Sequence, residues 1–479
     1  MMRPGRYWIP RFTSVGLSVL AVLLLGAPTN APAGPPQLEF AKGVVAGTDT
    51  DRVTTLQFGP DGRLYVGQQN GLIKILTLVR HGPGSYEAVA TETVGELVDL
   101  PNHDDNGEVN PRYVGRLLTG LVVSGSATRP VIHAVTTDPR IGGGVKKLNR
   151  NLDTNSGVLS RLSWDGSAWQ RLDLVRGLPR SEENHAGNGL ALDPSGGRLF
   201  LAQGGNTNNG APSEQFVLTP EYALSAAVLT IDLAAIGEVT YDLPTLDDPA
   251  RPGATDAGDP FGGADGDNQA RIVPGGPVQV YAPGFRNPYD LVLTAGGGLY
   301  TVDNGSNPGF GDAPRPAGGR CTNEPRSGGD HQIDTLHRVT PGYYGGHPNP
   351  TRANPENRFA GQSPVEEEHP EECEYRVGEA TGALATFTAS TNGITEYRGR
   401  AFDGAMAGDL LVAGLDNTIH RVELGPGGRT GSASVLFEQV GSAPLDVTAQ
   451  DDSGTYPGTI WVGDVGDGSI TVFEPAAAS

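Results

Sequence analysis

Three features of the sequence predict an all-β fold, a six-bladed β-propeller with long inserted loops. Glycine and proline are abundant, 70 and 38 of 479 residues, yet hydrophobic residues still reach 37%. That combination suits many short strands joined by tight turns better than it suits disorder. Sustained helical periodicity is hard to find after residue 34, and the amphipathic candidates, such as 221–236, are short and broken. The third feature is a phrase of strand, glycine turn and strand that recurs along the chain.

The N-terminal segment is read apart from the repeats. Arg3, Arg6 and Arg11 precede an apolar run over 15–25, and Ala31-Pro32-Ala33 forms a small-x-small pattern before Gly34. These are the three parts of a secretory signal. A retained anchor is the alternative, but eleven apolar residues fall well short of the ~20 that a spanning helix needs. The expected division is a signal peptide over 1–33 and one propeller domain over 34–479. The protein is expected to be secreted or periplasmic, with no membrane span after cleavage.

The first repeat unit is "LQFGPDGRLYVGQQNGLIKIL" at 56–76, two turns between three strands. A strand pair follows at 116–137, with "GVLSRLSWDG" at 157–166. "LALDPSGGRLFLAQGG" at 190–205 and "LVLTAGGGLYTVDNG" at 291–305 repeat the opening half of the unit. Units with longer turns lie at 408–424 and 446–475. Each unit exposes an apolar face that it cannot bury alone, and repetition around an axis buries those faces against one another. The uneven spacing places long insertions between blades, the largest at 206–277 and 304–375. A β-sandwich would leave the recurring turn phrase unexplained.

Formal net charge is -21, and cleavage after Ala33 removes three arginines and no acid, which leaves -24. Such a surface repels nucleic acid and anionic lipid. The inserted stretch "ATDAGDPFGGADGDNQ" at 254–269 holds Asp256, Asp259, Asp265 and Asp267. Read from Asp265 it fails as an EF-hand, with Ala270 at the sixth position and Gly276 at the twelfth. Calcium in an irregular loop and a solvated loop are both open there. The two cysteines, Cys321 and Cys373, lie in polar loops, and whether they are bonded is open as well. His331, His337, His347 and His369 lack metal-ligand spacing. The two tyrosines of "RVTPGYYGGHPNPTR" suit either a sugar platform or packing against a neighbouring blade.

Loops from all blades of a propeller converge on one funnel, so polar groups just ahead of an innermost strand meet there. His185 lies five residues before Leu190, and Arg286 lies five residues before Leu291. The equal offset places them on equivalent rims of two blades. Neutral histidine takes a proton and a guanidinium stabilises developing negative charge, which suits oxidation or acyl chemistry. The structural alternative is that His185 holds loop backbone and Arg286 pairs with an aspartate such as Asp290.

The P-D-G-x-L-Y phrase, His185 ahead of blade three and "GFRNP" ahead of blade four together resemble the glucose/sorbosone dehydrogenase family, over roughly residues 50–475. That family contains the soluble pyrroloquinoline-quinone (PQQ) glucose dehydrogenase and the aldose sugar dehydrogenases, which are six-bladed propellers. The resemblance implies an exported enzyme that oxidises the C1 hydroxyl of an aldose with hydride transfer to PQQ. His185 would be the base, and Arg286 would bind the quinone oxygen with Asn287 beside it. "VDNGSN" matches the turn whose main-chain carbonyls hold calcium, here Gly305 and Ser306. A quinone or a small cytochrome would accept the electrons.

Three positions depart from the family pattern. The acid that orients the histidine in some relatives is replaced by Gly205, followed by Asn206. The lysine that meets a cofactor carboxylate falls at Asp416, where two like charges ~4 Å apart cost on the order of 4 kcal/mol at a dielectric near 20. The arginine pair that grips the cofactor falls near Ala443 and Leu445. Arg338, Arg398 and Arg400 are candidate substitutes. The rival readings are a catalytically silent extracellular propeller that binds carbohydrate or another cell-surface polymer, and a calcium-dependent lactonase-type hydrolase.

Overall fold

Each glycine turn of the repeat phrase joins two antiparallel strands in the computed structural model, which describes residues 38–250, 259–388 and 390–476. The signal segment and Asp256 lie outside the described residues. In blade one, Val53–Phe58 pairs with Leu64–Gln68 across the Pro60-Asp61-Gly62 turn, and Ile73–Gly82 and Ser85–Val94 follow outward. Gly62 supplies the positive φ of +75° at that turn.

Five further sheets repeat the meander. Blade two runs outward from Leu117–Ser126, and Tyr241–Asp242 adds a short parallel strand to its edge. Blade three starts at Gly187–Leu192, blade four at Pro288–Leu293 and blade five at Thr391–Glu396. Blade six starts at Pro444–Ala449 and takes its outermost strand, Phe40–Val44, from the other end of the chain. The six inner strands neighbour one another in a closed ring. The fold predicted from the repeat is the fold observed.

The long insertions still contribute strands. Ala227–Asp232 is the third strand of blade three, and Asp334–Val339 is the third strand of blade four. The amphipathic stretch at 221–236 becomes that blade-three strand followed by a single helical turn, Leu233–Ile236. Its apolar residues face neighbouring blades rather than one side of a helix, and Leu229 and Ile231 are fully buried.

Every inner strand carries a register shift at its N-terminal end, for example between Gly187 and Leu190 and between Pro288 and Leu291. A bulge there bends the strand away from its partner and re-aims the side chains at the mouth of the ring. Side chains at these positions also tie blade to blade. Thr54 Oγ1 donates to Leu118 O at 2.7 Å, and Asn188 Nδ2 donates to Pro288 O at 2.9 Å. Asp290 Oδ2 accepts from Ile394 N at 3.0 Å, and Asp446 Oδ2 accepts from Leu56 N at 2.7 Å. Asp290 therefore serves the channel between blades and not Arg286.

Cys321 and Cys373 are bonded, with their Cα atoms 5.6 Å apart and 52 positions apart in sequence. They pack with Ala353 in a small apolar cluster within the blade-four insertion. Replacing both by serine is expected to cost roughly 2–4 kcal/mol through the freed loop. Unfolding midpoints with and without reductant check this.

Candidate functional site

His185 and Arg286 each stand two residues before the first residue of an inner strand, Gly187 in blade three and Pro288 in blade four. The structure brings both to the same end of adjacent blades. Gly204 lies between them, since a Cβ there would sit 2.7 Å from Asn287 Oδ1 and 2.9 Å from the Cβ of His185. Gly284 has a φ of +93° and faces the Tyr344 ring, which a Cβ would meet at 2.4 Å. The turn holding Arg286 is thus set by glycine on one side and a buried tyrosine on the other.

The His185 loop is held by its own backbone. His185 N donates to Ser181 Oγ, and its carbonyl accepts from Ser181 N, both at 2.9 Å. The fully buried Arg180 adds bonds to the carbonyls of Arg140 and His185. His185 Nδ1 lies 2.9 Å from Gly205 O. A carbonyl can only accept, so Nδ1 carries the proton and Nε2 presents a lone pair. Burial, then the charge of Arg286, holds the imidazole well below its ordinary pKa, so it is neutral.

Glu183 is the acid nearest to this histidine, with Oε2 3.8 Å from Nε2 and no hydrogen bond of its own. Burial raises its pKa, against the pull of Arg286 and Arg180. It lies two residues before His185, and that spacing was the signal available in the sequence.

Arg286 is buried. Its amide donates to Asp303 Oδ2 at 3.0 Å, and Nη2 donates to Asn208 Oδ1 at 3.1 Å. Its Nε is buried without a partner. The carboxylates acting on the guanidinium are Glu183, Asp303 and Asp334. Asn287 donates its amide to Asp303 Oδ1 at 2.7 Å. Its side chain bridges Asn188 and Asn304, each at 3.0 Å. Ser306 O accepts from His331 Nδ1 at 3.0 Å and from Gln332 N at 3.1 Å, while Gly305 N donates to Asp334 Oδ1 at 2.8 Å.

A second buried pair escaped the sequence reading. Glu221 sits under Gly205, where a Cβ would lie 2.7 Å from Glu221 Oε1, so no side chain fits at 205. The carboxylate accepts from His347 Nε2 at 2.9 Å, from the amides of Asn206 and Thr207 and from Ser225 Oγ. Burial works to raise its pKa, but these donors, His347 foremost, hold it below the usual range. An acid thus lies beside position 205, and it is engaged by His347.

Arg286, Asn209, Asn304, His347, Tyr375 and Arg376 line a cavity of about 50 Å³. Tyr343 and Tyr344 do not form a sugar platform. Their hydroxyls donate to Thr381 O and Glu374 O, and the Tyr343 ring stacks on Phe285 in the apolar cluster shared by blades three and four. Arg398 and Arg338 line cavities at the opposite end of the ring, among residues that end or follow the inner strands, such as Leu293. Arg400 is exposed and pairs with Asp452. None of the three reaches Arg286. Asp416 is exposed, with Oδ1 accepting from Thr418 Oγ1, and Leu445 is buried. Among the described residues no group of three or more His, Cys, Asp and Glu side chains is already set around a metal position, and no helix is long and apolar enough to cross a membrane.

No family model matches the chain, and no curated protein matches it. Among solved structures it is similar to the PQQ-bound form of aldose sugar dehydrogenase from Streptomyces coelicolor, with TM-score 0.50 and 17% identity over 92% of this chain and 99% of that one. A glucose dehydrogenase structure gives TM-score 0.50 and 17% identity, covering 92% and 99%. The calcium structure of a Trichoderma reesei protein of carbohydrate-active enzyme family AA12 gives TM-score 0.51 and 13% identity, covering 94% and 99%. At such identities the likeness is one of fold, and the fold of this chain is the propeller of those sugar and glucose dehydrogenase structures.

Proposed function

We propose that this chain is an exported oxidoreductase of the sugar-dehydrogenase type, acting on the C1 hydroxyl of an aldose. The observation that carries the reading is the pair at the mouth of blades three and four. A neutral His185 with its Nε2 lone pair free of hydrogen bonds stands beside a buried Arg286 whose Nε lacks a partner. His185 Nε2 takes the hydroxyl proton, and Glu183 stabilises the imidazolium that results. Arg286 holds the oxygen on which negative charge accumulates. The disulfide supports export, since such bonds persist in oxidising compartments.

In this reading PQQ, held with calcium, supplies the hydride acceptor. The residues fit one end of that group. Arg286 would hold a quinone oxygen, and Gly305 O remains available to calcium, whereas Ser306 O and the Asn287 amide already have partners. Asp416, Ala443 and Leu445 offer nothing to its three carboxylates, so that end of the group has no partners at these positions. The cavity at Arg286, about 50 Å³, is far below the ~300 Å³ of an ordinary ligand pocket. These two observations favour the second reading, a catalytically silent propeller that binds carbohydrate or another surface polymer.

Calorimetry with PQQ and excess calcium separates the two. Submicromolar binding that falls at least tenfold in Arg286→Ala is the expected result. Absence of binding overturns the dehydrogenase reading and leaves the silent propeller, to be tested against polysaccharides.

A further inference from the structure

Three loops remote in sequence meet beside the His185 loop, and each brings an acid. Asp105 lies between blades one and two, Asp153 lies within blade two, and Asp265 lies in the blade-three insertion. Asp105 Oδ1 accepts from the amide and the hydroxyl of Thr154, at 3.1 and 3.0 Å, and its Oδ2 accepts from the amide of Asp265. Asp153 Oδ1 accepts from the amides of Asn155, Gly262 and Gly263 at 2.9–3.1 Å. Gly263 permits this approach, since a Cβ there would lie 2.0 Å from Thr154 Oγ1.

Three oxygens of this cluster have no donor, while Asp265 Oδ2 accepts from Asn149 Nδ2 at 3.2 Å. Asp153 Oδ2, Asn155 Oδ1 and Asp265 Oδ1 are buried without a hydrogen-bond partner, and Asp153 and Asn155 are 0% exposed. The three carboxylates act electrostatically on one another, with Asp265 on Asp105 and Asp105 on Asp153. Among the described residues no lysine or arginine pairs with any of them. The neighbouring Arg140 is committed to Asp104 and Asp138, and Arg150 turns its side chain to Ile141 O. Buried acceptors without donors need a cation or carry a large desolvation cost.

We propose that Asp105, Asp153, Asp265 and the Asn155 side-chain carbonyl form a calcium site that clamps these three loops together. Oxygen donors of mixed type from irregular backbone suit calcium, which takes six to eight ligands at variable angles. Magnesium demands a regular octahedron that three independent loops do not readily supply. The half-buried Asp265 side leaves room for water ligands. The site is separate from the carbonyls of Gly305 and Ser306. Thr154 O accepts from Arg180 N at 2.9 Å, so the clamp would brace the loop that carries His185.

Thermal unfolding of the full-length protein in EDTA and in calcium, without PQQ, tests this. Calcium about a hundredfold above Kd is expected to raise Tm by roughly 3 °C or more. Asp153→Asn should abolish that rise while unfolding no earlier than wild type in EDTA, because one buried charge is gone. Asp265→Asn, on the half-buried loop, serves if Asp153→Asn does not fold. A Tm indifferent to calcium overturns the proposal, and so does a rise that persists undiminished in either variant, which would place the ion elsewhere. Failure of PQQ binding leaves this result untouched.

Discussion

Arg352→Ala is expected to cost about 3–5 kcal/mol of stability, the usual loss when one partner of a buried ion pair is removed. Arg352 is 1% exposed and meets the equally buried Glu372 through three contacts, with Nε 3.0 Å from Oε1 and 2.9 Å from Oε2, and Nη2 2.7 Å from Oε2. Its Nη1 also donates to the carbonyls of Ala223 and Ser225, at 3.0 and 2.6 Å. Alanine would leave the Glu372 carboxylate charged, buried and unpaired. Segment 223–226 would lose the guanidinium that gathers its carbonyls, and Ala226 O is where the amides of Gly284 and Phe285 dock. The damage should therefore reach the Arg286 turn. Denaturant midpoints measure the loss, and a cost below about 1 kcal/mol would contradict it. The double variant Arg352→Met/Glu372→Leu should lose less than either single change, because no charge is stranded.

His185→Ala is expected to lower sugar oxidation by about 10²–10⁴-fold, the range for removing a positioned base, and to cost about 1–3 kcal/mol of stability through the unpaired Gly205 carbonyl. The pH profile gives an independent check. A base whose pKa is lowered on folding is already deprotonated above that lowered value. Burial and Arg286 hold His185 well under 6.5, so activity should stay level through neutral pH and fall only on the acid side. A break near 6.5 in wild type that persists in Glu183→Gln would assign the base to another group.

The ring was legible because the Pro-Asp-Gly and Gly-Gly turns punctuate strands at repeating positions, which is a local signal. The pairing of His185 with Arg286 was legible from their equal offsets, since equivalent positions in a repeat occupy equivalent places in space. Glu221 and His347 were not, because they meet across two aperiodic insertions 126 residues apart in sequence. The Cys321–Cys373 bond stayed open because both lie in one aperiodic insertion, and Asp153 and Asp265 meet from loops with no shared repeat position. The basic residues proposed as substitutes were misjudged for another reason. Residue type says nothing of which end of a strand is reached, and Arg398 follows the blade-five strand while Arg286 precedes its own.

Blade six is assembled from both ends of the chain, with Phe40 opposite Pro475 and Val44 opposite Thr471. Synthesis runs from N to C, so the strand made first has no partner until the last strand emerges. Blades one to five can meander into place as they appear, but the circle closes only once Ile470–Pro475 has emerged. A circular permutant that moves 38–45 behind residue 476 would build blade six from one continuous stretch, and it should acquire its final strand without that wait.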